Sequence, residues 1–281
     1  MTSIIDLHSH SVVSDGLLTP ADLVAHAASK GIRVLALTDH DDVAGLAEAE
    51  AAAAQHGVTL IPGVEISVTW RRRTLHIVGL KIDPQSLPLV QGLQQIRKDR
   101  HTRAEGMAES LMKVGIQGSL EGAYQFAQQG IISRTHFAQY LVAQGYAPNI
   151  RSVFKKYLIK GKPGYFEHHW ANLEDAMSWI IESGGIPVLA HPGRYDLGRT
   201  NMLLLLEEFR SLGGVAIEVV TSSHTSEQYQ EFARLAHQFG LQASSGSDYH
   251  GPGHSYLDMG QLPALPAGCV PVWQDWPEAV V

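Results

Sequence analysis

Seven short apolar runs rich in β-branched residues, at 4–10, 34–40, 60–68, 75–82, 186–191, 215–220 and 242–250, set the frame for this chain. Helix-start signals lie between most of them. Thr19 followed by Pro20 caps one helix, which Gly31 stops. Asp41 and Asp42 open an alanine-rich helix that ends near Gly57, and Asn172, Thr200 with Asn201, and Thr225 with Ser226 open three more. Strand, helix and strand in this rhythm imply parallel βαβ units. Seven strands predict an α/β barrel, incomplete or distorted.

The rhythm breaks twice. Only TWRRRT, residues 69–74, separates the third run from the fourth, which predicts a hairpin. Centred between Trp70 and Arg71, it would set Glu65 directly opposite His76, with Cβ atoms about 5 Å apart. Trp-Arg is a poor two-residue turn, so a longer loop with the same centre is expected. Between residues 87 and 167 no run reads as a strand, and helices are predicted over 90–114 and 133–145. The expected organisation is a barrel from 1–86 and 168–281, with 87–167 as a helical insertion that caps it over the substrate. The Pro-rich end after Gly260 is expected to wrap the surface.

The ends of the strand runs carry the chemistry. His8 and His10 close the first run, His40 the second, His191 the fifth, and Asp248 with His250 the last; Glu65 lies in the third and His76 in the fourth. Residues at i and i+2 share a strand face, so His8 with His10, and Asp248 with His250, can each reach one ion. C-terminal strand ends of a parallel β/α barrel converge on one mouth, where such folds place their sites. A lone HxH or DxH is more often a surface pair. Five strand ends doing this together point to a metal site, because a buried imidazole needs a partner. Imidazole and carboxylate suit Mn, Fe or Zn.

Composition narrows the class. The 281 residues carry a formal charge of −7, which argues against broad, charge-driven nucleic-acid binding. Fifteen histidines stand beside one cysteine, so neither a disulfide framework nor a thiolate zinc site is available. No apolar run spans a bilayer, and MTSIIDLHSH lacks a basic region and an apolar signal core. A cytoplasmic location is expected.

DLHSHSVVSDG, ALTDHD, GVEIS, LHIVGL, LAHPGRYD and SGSDYHGP resemble, in order, the motifs of the PHP (polymerase and histidinol phosphatase) family. The resemblance covers essentially the whole chain. It implies a distorted (β/α)7 TIM-like barrel with three divalent metal ions, manganese first, with iron or zinc as alternatives. By position, His8, His10, Glu65 and Asp248 would hold the first ion. Glu65 would bridge to a second, held also by His76 and His191. Asp15, His40 and His250 would hold the third. ISRTHFAQYL, FKKYLIKGKPGYF and LAHPGRYDLGRT resemble the branch of 3′,5′-nucleotide bisphosphate phosphatases, which also includes 5′-3′ exoribonucleases on short RNA.

The implied function is a phosphoric-ester hydrolase that removes a phosphate from nucleoside 3′,5′-bisphosphates through a metal-bridging hydroxide, with Asp248 both ligand and catalytic residue. Three ions with three carboxylates and neutral imidazoles keep a charge of about +3, which calls for an anionic substrate. Ser133 reads as a helix N-cap, putting Arg134 and His136 in a first turn where cations oppose the dipole. An anion there would remove the conflict. Lys162 and Arg194 are further substrate-binding candidates, and His224, in the loop after the sixth run, is a candidate proton donor. Arg71, Arg72 and Arg73 read as a solvated tip, and Trp170 as helix packing. The rivals are a 5′-3′ exoribonuclease, a histidinol-phosphate phosphatase and, from another class, a non-catalytic metal-dependent nucleic-acid-binding module. No obligate protein partner and no membrane are implied.

Overall fold

A computed structural model describes residues 4–127 and 131–279. Seven strands form one sheet in sequential order: β1 (Ile5–Asp6), β2 (Val34–Leu37), β3 (Thr59–Trp70), β4 (Arg73–Leu80), β5 (Ile186–Leu189), β6 (Ala216–Thr221) and β7 (Gln242–Gly246). All neighbours are parallel except β3–β4 and β4–β5, so β4 alone runs against the rest. The sheet curls until its edges meet. Leu7 N–H donates to Ser245 O at 3.0 Å, and Asp248 N–H to His8 O at 2.9 Å. The expected seven-stranded α/β barrel is what forms.

Alternation along the strands sorts the core. Val34 and Ala36 point into the barrel with Ile5, Ile61, Val188 and Ala216. Leu35 and Leu37 face outward onto α1 (Pro20–Ser29) and α2 (Leu46–His56). This is the period of two in a sheet buried on both faces. The Pro-rich end does more than wrap the surface. Val272 N–H donates to Ala243 O at 2.9 Å, and Trp276, 7% exposed, joins the interior cluster.

Several boundaries differ from expectation for local reasons. α2 starts at Leu46 rather than at Asp41 and Asp42. Asp41 has φ 49 and its carboxylate is taken by Ser67 N–H, while Asp42 Oδ1 accepts from Val43 and Ala44 in a turn. α8 (Arg199–Ser211) is preceded by Gly198, one turn-edge earlier than Thr200 and Asn201 suggest. Thr19, Asn172 and Thr225 cap α1, α7 (Leu173–Glu182) and α9 (Ser226–Phe239) as expected.

The hairpin register is shifted. Glu65 pairs with Val78, and His76 with Ser67. The turn is two residues, Arg71 and Arg72, both left-handed at φ 45 and 65. Two positive φ angles give the type I′ geometry that matches strand twist, which here outweighs the cost of left-handed arginines. Glu65 and His76 are therefore diagonal neighbours on one face, not a direct pair.

Between β4 and β5 the described residues form no strand. They form α3 (Leu87–Met112), α4 (Ser119–Ala127), α5 (Arg134–Ala143) and α6 (Ile150–Val153), the last continuing into a π-turn at Phe154–Leu158. Met107, Leu111, Phe137, Leu141 and Leu158 make a core of their own. The first half of α3 lies on the barrel. Gly92 is needed there, since a Cβ would meet the Trp179 ring of α7 at 2.4 Å.

Candidate metal centre

Glu65 and His76 lie on the β3–β4 ladder, whereas His8, His191 and Asp248 sit just beyond their strands. β1 ends at Asp6, two residues before His8; β5 ends at Leu189, two before His191; β7 ends at Gly246, two before Asp248. At two of these places the chain turns with a positive φ, 25 at His191 and 54 at Asp248. Such backbone costs on the order of 1–3 kcal/mol per residue and clusters at functional sites. Gly246 lets the strands approach, because a Cβ would fall 2.3 Å from that of His8. β4 runs backwards, so His76 enters from near its start.

The donor atoms converge around Glu65. Its Oε1 lies 2.8 Å from His76 Nδ1 and 2.8 Å from His191 Nε2. Its Oε2 lies 2.9 Å from His40 Nδ1 and 3.3 Å from Nε2 of both His8 and His10. Asp248 Oδ1 is 3.2 Å from His10 Nε2, and Asp15 Oδ1 is 3.2 Å from His250 Nε2. These atoms fall into three groups: His8, His10, Glu65 and Asp248; His40, Glu65 and His76; and His10, Asp15, His40 and His250. Eight of the nine sequence candidates fall in these groups, with His10, His40 and Glu65 each shared by two, and His191 adjoins them through its 2.8 Å contact with Glu65 Oε1.

The arrangement fits cations. Asp15 Oδ1, Glu65 Oε2 and Asp248 Oδ1 are buried without a hydrogen-bond partner. His8 Nε2 and His10 Nε2 face each other at 3.1 Å. Donors bound at about 2.1 Å to a common ion lie roughly 3–3.5 Å apart, as these do. Burial alone would raise the Glu65 carboxyl, but the imidazoles of His76, His40 and His8 hold it well below the usual range. Burial likewise opposes ionisation of Asp248, and His8, His250 and Arg194 outweigh it.

Two tautomers are set from outside. His8 Nδ1–H donates to Glu218 Oε1 at 2.7 Å, freeing Nε2 for the centre. His250 Nδ1–H donates to the Asp248 carbonyl at 2.9 Å, with the same effect. Glu218, in β6, also accepts from the His191 backbone N–H. It escaped the sequence reading; an acid inside the apolar run AIEVV was the available signal.

A cavity of about 350 Å³ opens over the centre. Asp15, His40, His76 and His250 floor it, and Arg100, Arg103 and Arg134 from α3 and α5 wall it. Arg100 and Arg103 were not singled out in the sequence; their i, i+3 spacing in α3 puts both on one side. Arg100, 7% exposed, binds Asp41 and Ser67 Oγ, tying α3 to the chain directly after His40. Trp170 packs against the core as expected and does more. It lines the cavity, with Arg100 4.6 Å and Arg103 5.2 Å from its ring centroid.

The other candidates divide. Arg194 lines the cavity and donates to Asp248 Oδ2 at 2.6 Å. Lys162 does not reach it; it is exposed, in the turn after the π-turn. His136 has a structural reason for its place: its Nδ1 accepts from Ser133 N–H at 3.1 Å in a capping box, and the ring is buried. Of the two basic residues expected at the helix start, Arg134 remains as the cation, while burial pushes the His136 imidazole down. His224 is engaged at both nitrogens. Nδ1–H donates to Val219 O at 3.1 Å, and Nε2 accepts from Gly193 N–H at 2.9 Å. The ring rests on Phe232, 4.8 Å away, and its contacts hold the 191–194 turn.

A curled seven-stranded α/β sheet with a histidine–carboxylate centre at its mouth defines a class, and comparison with known proteins names it. The family model for the PHP domain matches residues 6–186, and the chain belongs to this family. It is 50% identical over 272 residues to a 3′,5′-nucleoside bisphosphate phosphatase of Chromobacterium violaceum, covering 96% of this chain and 95% of that one. It is 44% identical over 275 residues to the 5′-3′ exoribonuclease Rnm of Escherichia coli, covering 97% and 94%. A solved amidohydrolase structure from C. violaceum, with bound sulfate and no metal, superposes with a TM-score of 0.93 at 50% identity over 97% of this chain and 95% of that one. Among the described residues no helix is long and apolar enough to cross a membrane.

Proposed function

We propose that this protein is a metal-dependent phosphohydrolase that removes one phosphate from nucleoside 3′,5′-bisphosphates. The observation that carries the reading is one cavity bordered by the histidine–carboxylate centre on one side and by arginines on the other. The C. violaceum relative named for this activity supports it. Three divalent ions, manganese first, are the expected occupants; bound, they would polarise a phosphoryl group and lower the pKa of a water. His8, His10, Asp15, His40, Glu65, His76, His191, Asp248 and His250 would hold them. Arg194 steadies Asp248, and Arg134 grips the phosphate that is not cleaved. Helices over 87–167 serve as the cap that brings this arginine over the barrel mouth. The substrate is a small molecule, and a cytoplasmic location is part of this reading.

One observation favours a second reading, the 5′-3′ exoribonuclease. Ile150 and Phe154 line the cavity, and the segment they belong to carries exposed Arg151, Lys155, Lys156, Lys160 and Lys162. A polynucleotide tail leaving the cavity would pass a locally basic rim. A volume of about 350 Å³ suits one nucleotide, which favours the bisphosphate. Comparing kcat/KM for adenosine 3′,5′-bisphosphate, a 5′-phosphorylated RNA trimer and histidinol phosphate, with Mn added, decides it. The bisphosphate should lead. A lead for the trimer establishes the second reading, and a lead for histidinol phosphate ends both.

A further inference from the structure

Asp39 is a buried carboxylate, 2% exposed, in the segment that follows β2 and directly before His40. It belongs to none of the three ligand groups. Its Oδ1 accepts from Ser11 N–H at 2.7 Å and from the Ser14 hydroxyl at 2.6 Å, and its Oδ2 accepts from the Ser11 hydroxyl at 2.6 Å. Both serines are buried, and both lie in the short segment that joins His10 to Asp15. A carboxylate out of water needs such donors. All three come from that one segment, so the contacts that satisfy the acid also fix the segment.

Residues 12–15 form turns, not a strand or a helix, so no element of the barrel places Asp15. The segment folds back on itself: Ser14 N–H and Gly16 N–H donate to Ser11 O at 3.1 and 2.9 Å. Gly16 permits this return, because a Cβ there would fall 2.3 Å from His10 O. Leu17 N–H then donates to His250 O at 2.8 Å, which ties the exit of the segment to another candidate ligand. Ser14 also reaches His10. Its hydroxyl proton goes to Asp39, so its oxygen accepts from His10 Nδ1–H at 3.4 Å, and His10 Nε2 is left free for an ion.

We infer that Asp39 is a positioning residue that controls one ion of the centre, the ion of the group His10, Asp15, His40 and His250. The inference rests on the metal-dependent reading above. Asp15 is the one carboxylate of that group, so the charge that answers the ion sits on a side chain whose place depends on Asp39. The group of His8, His10, Glu65 and Asp248 has two carboxylates, and Glu218 orients its His8 separately. The group of His40, Glu65 and His76 draws no residue from the segment. Loss of Asp39 should therefore weaken one ion and largely spare the other two.

The test counts bound Mn per chain by elemental analysis while a chelator buffers free Mn over a graded series. The wild type should fill to about three ions. Asp39→Ala should keep two ions near wild-type affinity and need about 10–100-fold more free Mn for the third, the scale of losing a contact that supports a ligand. Turnover of adenosine 3′,5′-bisphosphate should return as that ion returns, a rescue that general damage to the fold would not allow. Ser14→Ala removes one of the three donors and the His10 contact. It should shift the third ion in the same direction by less, and it serves if Asp39→Ala does not fold. A third ion bound as in the wild type by every variant that folds, or three ions weakened alike, overturns the proposal and leaves the metal-dependent reading intact. A wild type that binds no Mn overturns that reading and this inference with it.

Discussion

Glu218 Oε1 lies 2.7 Å from Nδ1 of His8, although 210 positions separate the two residues in the chain. The contact is buried on both sides, and the other Glu218 oxygen accepts from the backbone of His191. One carboxylate outside the ligand set thus orients residues from two different strands.

Glu218→Gln keeps the shape but sets an amide N–H₂ against the His191 N–H. Metal affinity should fall by about 10–100-fold, the usual effect of losing such a supporting contact. Competition with a chromophoric chelator measures it. Wild-type affinity in this variant would show that the contact does not matter to the centre.

His224 is expected to act on stability and not on proton transfer. His224→Ala leaves Gly193 N–H and Val219 O without their partner, at a cost of about 1–3 kcal/mol. Denaturant unfolding should show that loss, and the shape of the kcat–pH profile should stay as in the wild type. Disappearance of one limb of the profile would restore His224 as a proton donor.

Arg134→Ala should be sensitive to the substrate. The ratio of kcat/KM for adenosine 3′,5′-bisphosphate over p-nitrophenyl phosphate should fall by about 30-fold or more, since only the first has a second phosphate to lose. Equal losses on the two substrates would place Arg134 on the cleaved phosphate instead.

The Arg71–Arg72 turn is open to improvement. Replacing the pair with Asn-Gly gives residues that accept positive φ readily and should stabilise the protein by about 1–2 kcal/mol. Arg72 also pairs with exposed Glu167 at 3.3 Å, and loss of that contact should cost less than the turn gains. A lower unfolding midpoint in the double variant would refute the strain argument.

The barrel and the candidate ligands at its mouth were legible because they depend on local patterns. Apolar runs interrupted by caps such as Thr19 and Asn172 mark βαβ units, and His or Asp at the end of a run marks the mouth. Features that depend on tertiary geometry were not legible. The hairpin register turned on two arginines adopting a conformation their type disfavours. His136 looks like a substrate-binding residue and His224 like a proton donor by residue type, yet each is engaged by backbone partners that only the fold supplies. Arg100 and Arg103 drew no reading from the sequence and reach the cavity only because α3 is laid against the barrel, and Glu218 shows its role only once β6 faces His8.

The central claim is that a histidine–carboxylate centre gathered on Glu65 makes this protein a metal-dependent phosphohydrolase. The most direct test is release of inorganic phosphate from adenosine 3′,5′-bisphosphate by chelator-stripped protein titrated with Mn, with bound metal counted by elemental analysis at each point. Turnover should be absent in the stripped protein and rise with bound metal until it levels near three ions per chain, while Glu65→Gln binds fewer and stays inactive. Full turnover in the stripped protein, or a fully loaded centre that releases no phosphate, would contradict the account.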